Sequence, residues 1–333
     1  LETAAVKRHV DHSSDFGIDT SGEATVDFAR TQKRKQGIVD GLVKGIGAMC
    51  KGRKVEVFNG IGSLGANRTV TVSMNDGSSA TITGDAVMLA SGSVPRLIPN
   101  FERGGPIMTS DEVLDLDHVP PRVAVIGGGA IGCEFASTFA DLGSDVTILE
   151  GLPKILPGLD ADVAKVVEKS FKKKKITIRT GVMVNGHTPN DSGGTAVHFG
   201  DDESVEVDAV VVSVGRRPFA DQLGLEGTGV VVDDRGFVVV DEYCRTGEPG
   251  VYAVGDLLSP GGGVGRPRRG CLQGGRHRHR RRQASVQVQQ PSSDRRRDRR
   301  HGQDHRPHQR RRHGRAGARR AHGRAMGHRT AVG

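Results

Sequence analysis

The chain contains no Trp, only 4% aromatic residues, and no apolar run of eighteen residues. A membrane-spanning helix is thereby excluded. The first residues lack the character of a signal peptide, so the expectation is a soluble, cytoplasmic protein that makes no use of a membrane. The four cysteines, Cys50, Cys133, Cys244 and Cys271, lie far apart, with no Cys-x-x-Cys or Cys-x4-Cys among them. Neither a zinc site nor a local redox disulfide can be built from such spacing, and no metal centre is expected. The chain opens on Leu1 rather than Met, which reads as a piece of a longer reading frame.

The net charge of +9 averages two unlike stretches. Residues 259–333 hold 22 Arg, 3 Asp and no Lys or Glu, whereas the remainder holds 26 basic and 36 acidic side chains. The body is therefore acidic, and the basic excess belongs to the tail. That tail also lacks Phe, Tyr, Trp, Ile and Asn, so it offers neither a core nor stacking platforms. Arg and Lys are equally used in the body, at 13 each, and only Arg appears in the tail. A flood of Arg, Gly and His with loss of Lys, Ile and Asn is what a GC-rich gene gives when read out of frame. The expectation is a disordered, low-complexity segment that departs from frame after about residue 257. An in-frame tail would instead attract nucleic acid through counterion release. His301, His305 and His308 have a spacing compatible with a metal, but an Arg-rich setting without a fold does not hold ligands in place.

Residues 122–150 organise the body. Val123 to Ile126 form a continuous apolar run typical of a buried parallel strand. Gly127-x-Gly129-x-x-Gly132 follows at once. The first glycine suits a tight turn, the second a close backbone approach to a pyrophosphate, and the third a close helix–strand contact. Ile131, Phe135, Phe139 and Leu142 then share one helix face, and Gly143 supplies a C-cap. A second strand runs to Glu150, eighteen residues beyond Gly132. An acid at a strand end in that position can accept the adenine ribose hydroxyls and repel a 2′-phosphate. The expected cofactor is NAD rather than NADP.

Helices are expected over residues 1–10, 24–49 and 160–175, with Val26, Phe28, Ile38, Leu42, Val43 and Ile46 as apolar positions of the second. Lys33 to Lys35 read as a solvated face, and Lys172 to Lys175 as a solvated helix end favoured by the dipole. Strands are expected over 55–58, 69–74, 80–83, 86–90, 176–179, 205–214 and 250–256, with hairpin turns at Asn75-Asp76-Gly77 and around Asp233, Asp234 and Gly236.

Taken with Leu89-Ala-Ser-Gly-Ser93, Gly127-Gly-Gly-Ala-Ile-Gly-Cys-Glu134 and Glu150, the segments Val214-Gly-Arg-Arg-Pro218 and Tyr252-Ala-Val-Gly-Asp256 make residues 1–257 resemble the pyridine nucleotide–disulfide oxidoreductases. The dihydrolipoamide dehydrogenase branch is the most similar, through residues 127–157; mercuric reductases and soluble transhydrogenases are rival branches. The resemblance implies an α/β fold of two nested Rossmann-like dinucleotide-binding domains. Residues 1–119 would be a partial FAD-binding domain, 120–218 the NAD-binding domain, 219–258 a return to the FAD domain, and 259–333 the tail. It implies that Gly127, Gly128, Gly129, Ala130, Ile131, Gly132, Cys133, Glu134, Glu150, Val182 and Gly215 bind NAD. It implies that Gly62, Ser91, Gly92, Ser93 and Asp256 bind FAD, Asp256 at the ribityl chain.

The same family carries an N-terminal Gly-rich turn for FAD, a Cys-x4-Cys disulfide followed by Lys, and a C-terminal interface domain with a His–Glu pair. None is present in this chain, so no catalytic residue is assigned. By resemblance the parent oxidises dihydrolipoyl groups on the acyltransferase of a 2-oxo acid dehydrogenase complex, as a homodimer. The chain as it stands is expected to be inactive and not to dimerise. Two further hypotheses are an NAD-binding module with a basic nucleic-acid-binding tail, and a flavin-independent scaffold.

Overall fold

The computed structural model describes residues 1–20, 24–259 and 284–288, all within one unit, Leu1–Ser293. The N-terminal part is helical. α1 (Glu2–Asp11) starts without a side-chain cap and buries Ala4, packing on the fourth helix below. α2 (Phe28–Gly52) starts where Asp27 accepts the Arg30 amide. Gln32 and Lys35 donate from it to the carbonyls of Leu114 and Leu116. Beyond that tether its apolar positions Ile38, Leu42, Val43 and Ile46 are exposed.

An antiparallel meander follows. β1 (Glu56–Gly65), β2 (Thr69–Met74) and β3 (Ser79–Thr83) pair in order. At the second turn the Ser78 amide donates to Asp76, and Gly77 takes the left-handed conformation that an L side chain resists. β4 (Val87–Leu89), β5 (Ser93–Pro95) and β6 (Ile107–Met108) lead to α3 (Ser110–Val113), which carries a Thr109/Glu112 capping box.

The central sheet is next: β7 (Arg122–Ile126), α4 (Ala130–Leu142), β8 (Asp145–Glu150), α5 (Ala161–Lys173) and β9 (Thr177–Thr180). A three-stranded antiparallel excursion, β10 (Val184–Pro189), β11 (Thr195–Phe199) and β12 (Glu203–Val207), precedes β13 (Ala209–Val212). The parallel order is β6-β13-β7-β8-β9. Val123, Val125, Val146 and Ile148 pack with Cys133, Ala136 and Phe139 of α4 and Phe171 of α5. The alternate residues Ala124, Ile126, Leu149, Val210 and Val212 pack with Val197, Phe199 and Val207 of the antiparallel excursion. Both faces of the parallel sheet are thus covered, which explains why its strands are apolar without alternation.

β14 (Arg216–Pro218) pairs antiparallel with β5, and β15 (Val251–Ala253) pairs parallel with β4. Leu64, Leu89, Leu223, Val238, Ala253 and Leu257 form a separate core there. β16 (Ala284–Val288) lies parallel to β1.

Several expectations need correction. The strand expected over 205–214 is two strands in different sheets, broken at Asp208. There the carboxylate leaves the ladder to accept the Arg122 amide at 3.0 Å and its guanidinium at 3.1 and 2.7 Å. Lys174 is not part of a solvated helix end: it pairs with Asp141 at 2.6 Å and Ser137 at 2.8 Å, locking α5 to α4. Lys35 likewise pairs with Asp115. β1 extends well past Phe58, carried by its pairing with β2. No strand was expected at 284–288. The out-of-frame reading of the tail and the His301, His305, His308 spacing otherwise lie outside the described residues. Among the described residues no helix is long and apolar enough to cross a membrane, and no cluster of His, Cys, Asp or Glu is placed to hold a metal.

Candidate dinucleotide sites

In a parallel sheet, ligands bind beyond the C-terminal strand ends, where the strand order reverses. Here the reversal lies between β7 and β13, with β8 and β9 on the far side of β7. Gly215 after β13, Gly127 after β7, Glu150 ending β8 and Val182 after β9 are therefore brought to one edge, as the sequence implied.

The glycine turn divides its labour visibly. Gly127 is left-handed (φ 104°), and a Cβ there would lie 2.6 Å from the Ser213 carbonyl oxygen. A Cβ on Gly132 would collide with the Gly127 carbonyl and lie 2.6 Å from Ser213 Oγ. A Cβ on Gly129, by contrast, has no neighbour within 4 Å. Gly127 and Gly132 serve packing, and Gly129 leaves an open approach. Gly129 is also the N-cap of α4 and provides no side chain to cap it. Amides and dipole at such a helix start favour an anion, and the approach to Gly129 is open.

Glu150 is buried (8% exposed) yet ordered by two donors. The Gly128 amide donates to Oε2 at 2.5 Å and the Leu152 amide to Oε1 at 2.8 Å. Each oxygen keeps a second lone pair able to accept from a further donor. The following loop folds back, with the Leu156 amide donating to the Gly128 carbonyl at 2.7 Å. Val182 donates its amide to the Glu150 carbonyl at 3.1 Å. Gly215 is left-handed (φ 113°) and exposed, with no neighbour within 4 Å of a Cβ.

Cys133 and Glu134, adjacent in sequence, part company in space. Cys133 is buried, its thiol donating to the Gly128 carbonyl at 3.4 Å. Burial first, and then the charges of Glu150 and Glu134, push that thiol up to about 11. It is a packing residue behind the turn. Glu134 is exposed on α4.

Of the residues implied for a flavin, Ser91, Gly92, Ser93 and Asp256 lie together, and Gly62 stands apart in β1. Ser93 Oγ donates to Asp256 at 2.7 Å, Ser91 Oγ donates to the Phe219 carbonyl at 2.6 Å, and the Phe219 amide donates to the Gly92 carbonyl at 2.9 Å. Asp256 is exposed at the end of the β15 segment. Gly62 is buried in β1, and Leu64, two residues on, reaches the core shared with Leu89 and Ala253. Ser213 and Arg216 were not singled out as site residues. Ser213 anchors the glycine turn by donating to the Ile126 and Gly127 carbonyls at 3.1 Å each, and Arg216 donates to Ser93. Ser213 carries no sequence signal of its own, and Arg216 stands in the Val214-Gly-Arg-Arg-Pro218 segment on which the resemblance rests.

Residues 6–290 match the family model described as pyridine nucleotide-disulphide oxidoreductase. The dihydrolipoyl dehydrogenase of Bacillus subtilis is 38% identical over 250 residues, 74% of this chain and 53% of that protein. The dihydrolipoamide dehydrogenase of Chaetomium thermophilum is 39% identical over 246 residues, 72% of this chain and 49% of that protein. Among solved structures, LpdA from Mycobacterium tuberculosis is similar with a TM-score of 0.72 and 25% identity, over 82% of this chain and 59% of that one. The HOCl-induced flavoprotein disulfide reductase RclA from Escherichia coli gives 0.64 and 26%, over 75% and 55%. The chain spans about half the length of the curated relatives it matches.

Proposed function

The chain belongs to the pyridine nucleotide-disulphide oxidoreductases, and from that premise we propose that it is the nucleotide-binding part of a dihydrolipoyl dehydrogenase. Oxidoreductase character and the use of FAD and NAD come with the family. The observation that carries the reading is the shared edge at which the open Gly129 approach, the doubly held Glu150, Val182 and Gly215 meet. In this reading the turn from Gly127 to Gly132, with Glu134, Glu150, Val182 and Gly215, binds NAD while Cys133, expected in that set, packs behind the turn instead, and Gly62, Ser91 to Ser93 and Asp256 hold FAD. Residues 120–218 are the NAD domain, framed by FAD-domain segments 1–119 and 219–258.

The α4 start receives the pyrophosphate, Glu150 orients the ribose, and Asp256 accepts from ribityl hydroxyls. Bound FAD would supply the two-electron chemistry between a dithiol and NAD. The chain carries no Cys-x4-Cys to exchange with a dithiol at the flavin, and Cys133 is buried with a raised pKa. The natural electron donor would be a dihydrolipoyl-bearing acyltransferase of a 2-oxo acid dehydrogenase complex, with the redox disulfide and the His–Glu base needed for turnover.

The purified chain is expected to retain NADH in equilibrium dialysis and to form none from NAD and dihydrolipoamide. Sustained turnover overturns the assignment of an inactive fragment, and failure to retain NADH overturns the site. Resequencing the codons for residues 252–270 tests the frame of the tail. A restored helix and His–Glu pair in another frame supports the fragment reading; stops in both other frames favour a genuine basic tail.

A further inference from the structure

Arg216 opens β14, directly after the strand end that carries Gly215, and its guanidinium is committed to one neighbour. Nε donates to Ser93 Oγ at 2.7 Å, and a terminal nitrogen donates to the Ser93 carbonyl at 2.6 Å. A guanidinium has donors only, so the Ser93 hydroxyl accepts there and its single proton goes to Asp256 Oδ2, at 2.7 Å. The direction of every bond is therefore fixed, from arginine to serine to carboxylate. Ser93 is buried (5% exposed) and Asp256 is exposed, so the relay runs from the interior to a surface carboxylate. Among the described residues only Oδ2 of Asp256 is hydrogen-bonded, which leaves Oδ1 for a ligand hydroxyl.

With the flavin placed at Asp256 as above, we propose that Arg216 is a positioning residue: acting through Ser93, it holds the Asp256 carboxylate in the orientation that receives the ribityl chain. A carboxylate anchored through one oxygen presents the other without losing further rotamer freedom on binding. Lysine cannot replace the arginine fully, because one ammonium cannot reproduce the fork that grips both the hydroxyl and the carbonyl.

The test is FAD affinity of the intact chain, read by equilibrium dialysis, in a mutant cycle. Arg216→Met and Ser93→Ala are each expected to weaken FAD about tenfold, with the double variant no worse than either, since both cut one relay. Arg216→Lys is expected to recover part of the loss. In an Asp256→Asn background, where the receiving charge is gone, Arg216→Met is expected to change FAD affinity by less than about twofold. An equal loss with and without that background shows that Arg216 acts on the fold rather than through Asp256, and overturns the proposal. So does unaltered FAD affinity in both Arg216→Met and Ser93→Ala. If the unsubstituted chain folds and takes up no FAD, the flavin reading fails, and the relay has no ligand to position.

Discussion

Alanine at Gly132 and alanine at Gly129 are expected to damage different properties, stability and binding, although only three positions separate them. At Gly132, helix propensity favours alanine by about 1 kcal/mol. Against this, the new methyl collides with the Gly127 carbonyl and sits 2.6 Å from Ser213 Oγ. The Gly127 carbonyl cannot yield alone, since the Gly127 amide is bonded to the Leu149 carbonyl at 2.8 Å, and the Ser213 hydroxyl can turn away only by giving up its 3.1 Å bonds to the Ile126 and Gly127 carbonyls. Relief requires α4 to move by about 1 Å, and overpacking of this kind costs about 1–3 kcal/mol, or more where backbone is the obstacle. The net expectation is a loss of about 2 kcal/mol. At Gly129 the backbone is extended (φ −73°, ψ −176°) and a Cβ meets nothing within 4 Å. The N-cap change there costs at most about 1 kcal/mol, but the methyl occupies the pyrophosphate approach. NADH affinity should fall tenfold or more, equivalent to about 1.4 kcal/mol. Stability is read by urea unfolding followed by circular dichroism, because the chain has no Trp to report by fluorescence. Binding is read by the fluorescence of NADH itself. A Gly129→Ala chain that binds NADH normally, or a Gly132→Ala chain as stable as the original, refutes this division of roles.

Three further outcomes follow from the same geometry. With its thiol pushed up to about 11, Cys133 is about one part in a thousand thiolate at pH 8; peptide mapping should find it unalkylated by iodoacetamide in the native chain and modified only in urea. Asp208 is held below the usual carboxylate value, first by the hydrogen bond from the Arg122 side chain. Its contribution to stability is therefore present above the unfolded-state value of about 4 and lost as pH falls through the folded one. The difference in urea midpoint between the original and Asp208→Asn should hold from pH 7 to about 5 and shrink in more acid solution; a difference unchanged at pH 2 contradicts the pairing. Lys174→Met strands Asp141, whose side chain is only 12% exposed, and should cost about 2 kcal/mol in unfolding free energy.

Where side chains follow a local rule, sequence and structure agree. The glycine turn, Gly143 as C-cap and the Asn75-Asp76-Gly77 hairpin are short-range patterns, and each stands where its residues indicated, whereas the buried face of α4 is Cys133, Ala136 and Phe139 rather than the expected Ile131, Phe135, Phe139 and Leu142. The gaps are non-local. Strands β10 to β12 carry His187, Thr188 and His198, with weak alternation, and they are defined by pairing with each other and by packing on the parallel sheet. The break at Asp208 is set by Arg122, which lies 86 residues earlier. Lys174 looked solvated because its partners sit on another helix. In the candidate sites, the glycines, Glu150 and Asp256 were legible as candidates because their positions in strand ends and turns carry motifs. Ser213 anchors the glycine turn and carries no motif of its own, and Arg216, although it stands in the Val214-Gly-Arg-Arg-Pro218 segment, grips Ser93 across 123 positions of chain that no local pattern reveals.

The most direct measurement is a pair of titrations of the purified chain, with NADH and with NADPH, repeated for Glu150→Gln. The carboxylate held by Gly128 and Leu152 predicts saturable NADH binding, NADPH at least about tenfold weaker, and a collapse of that preference in the variant. No NADH binding by a folded chain, or equal affinity for the two nucleotides, would contradict the assignment of this sheet edge as an NAD site.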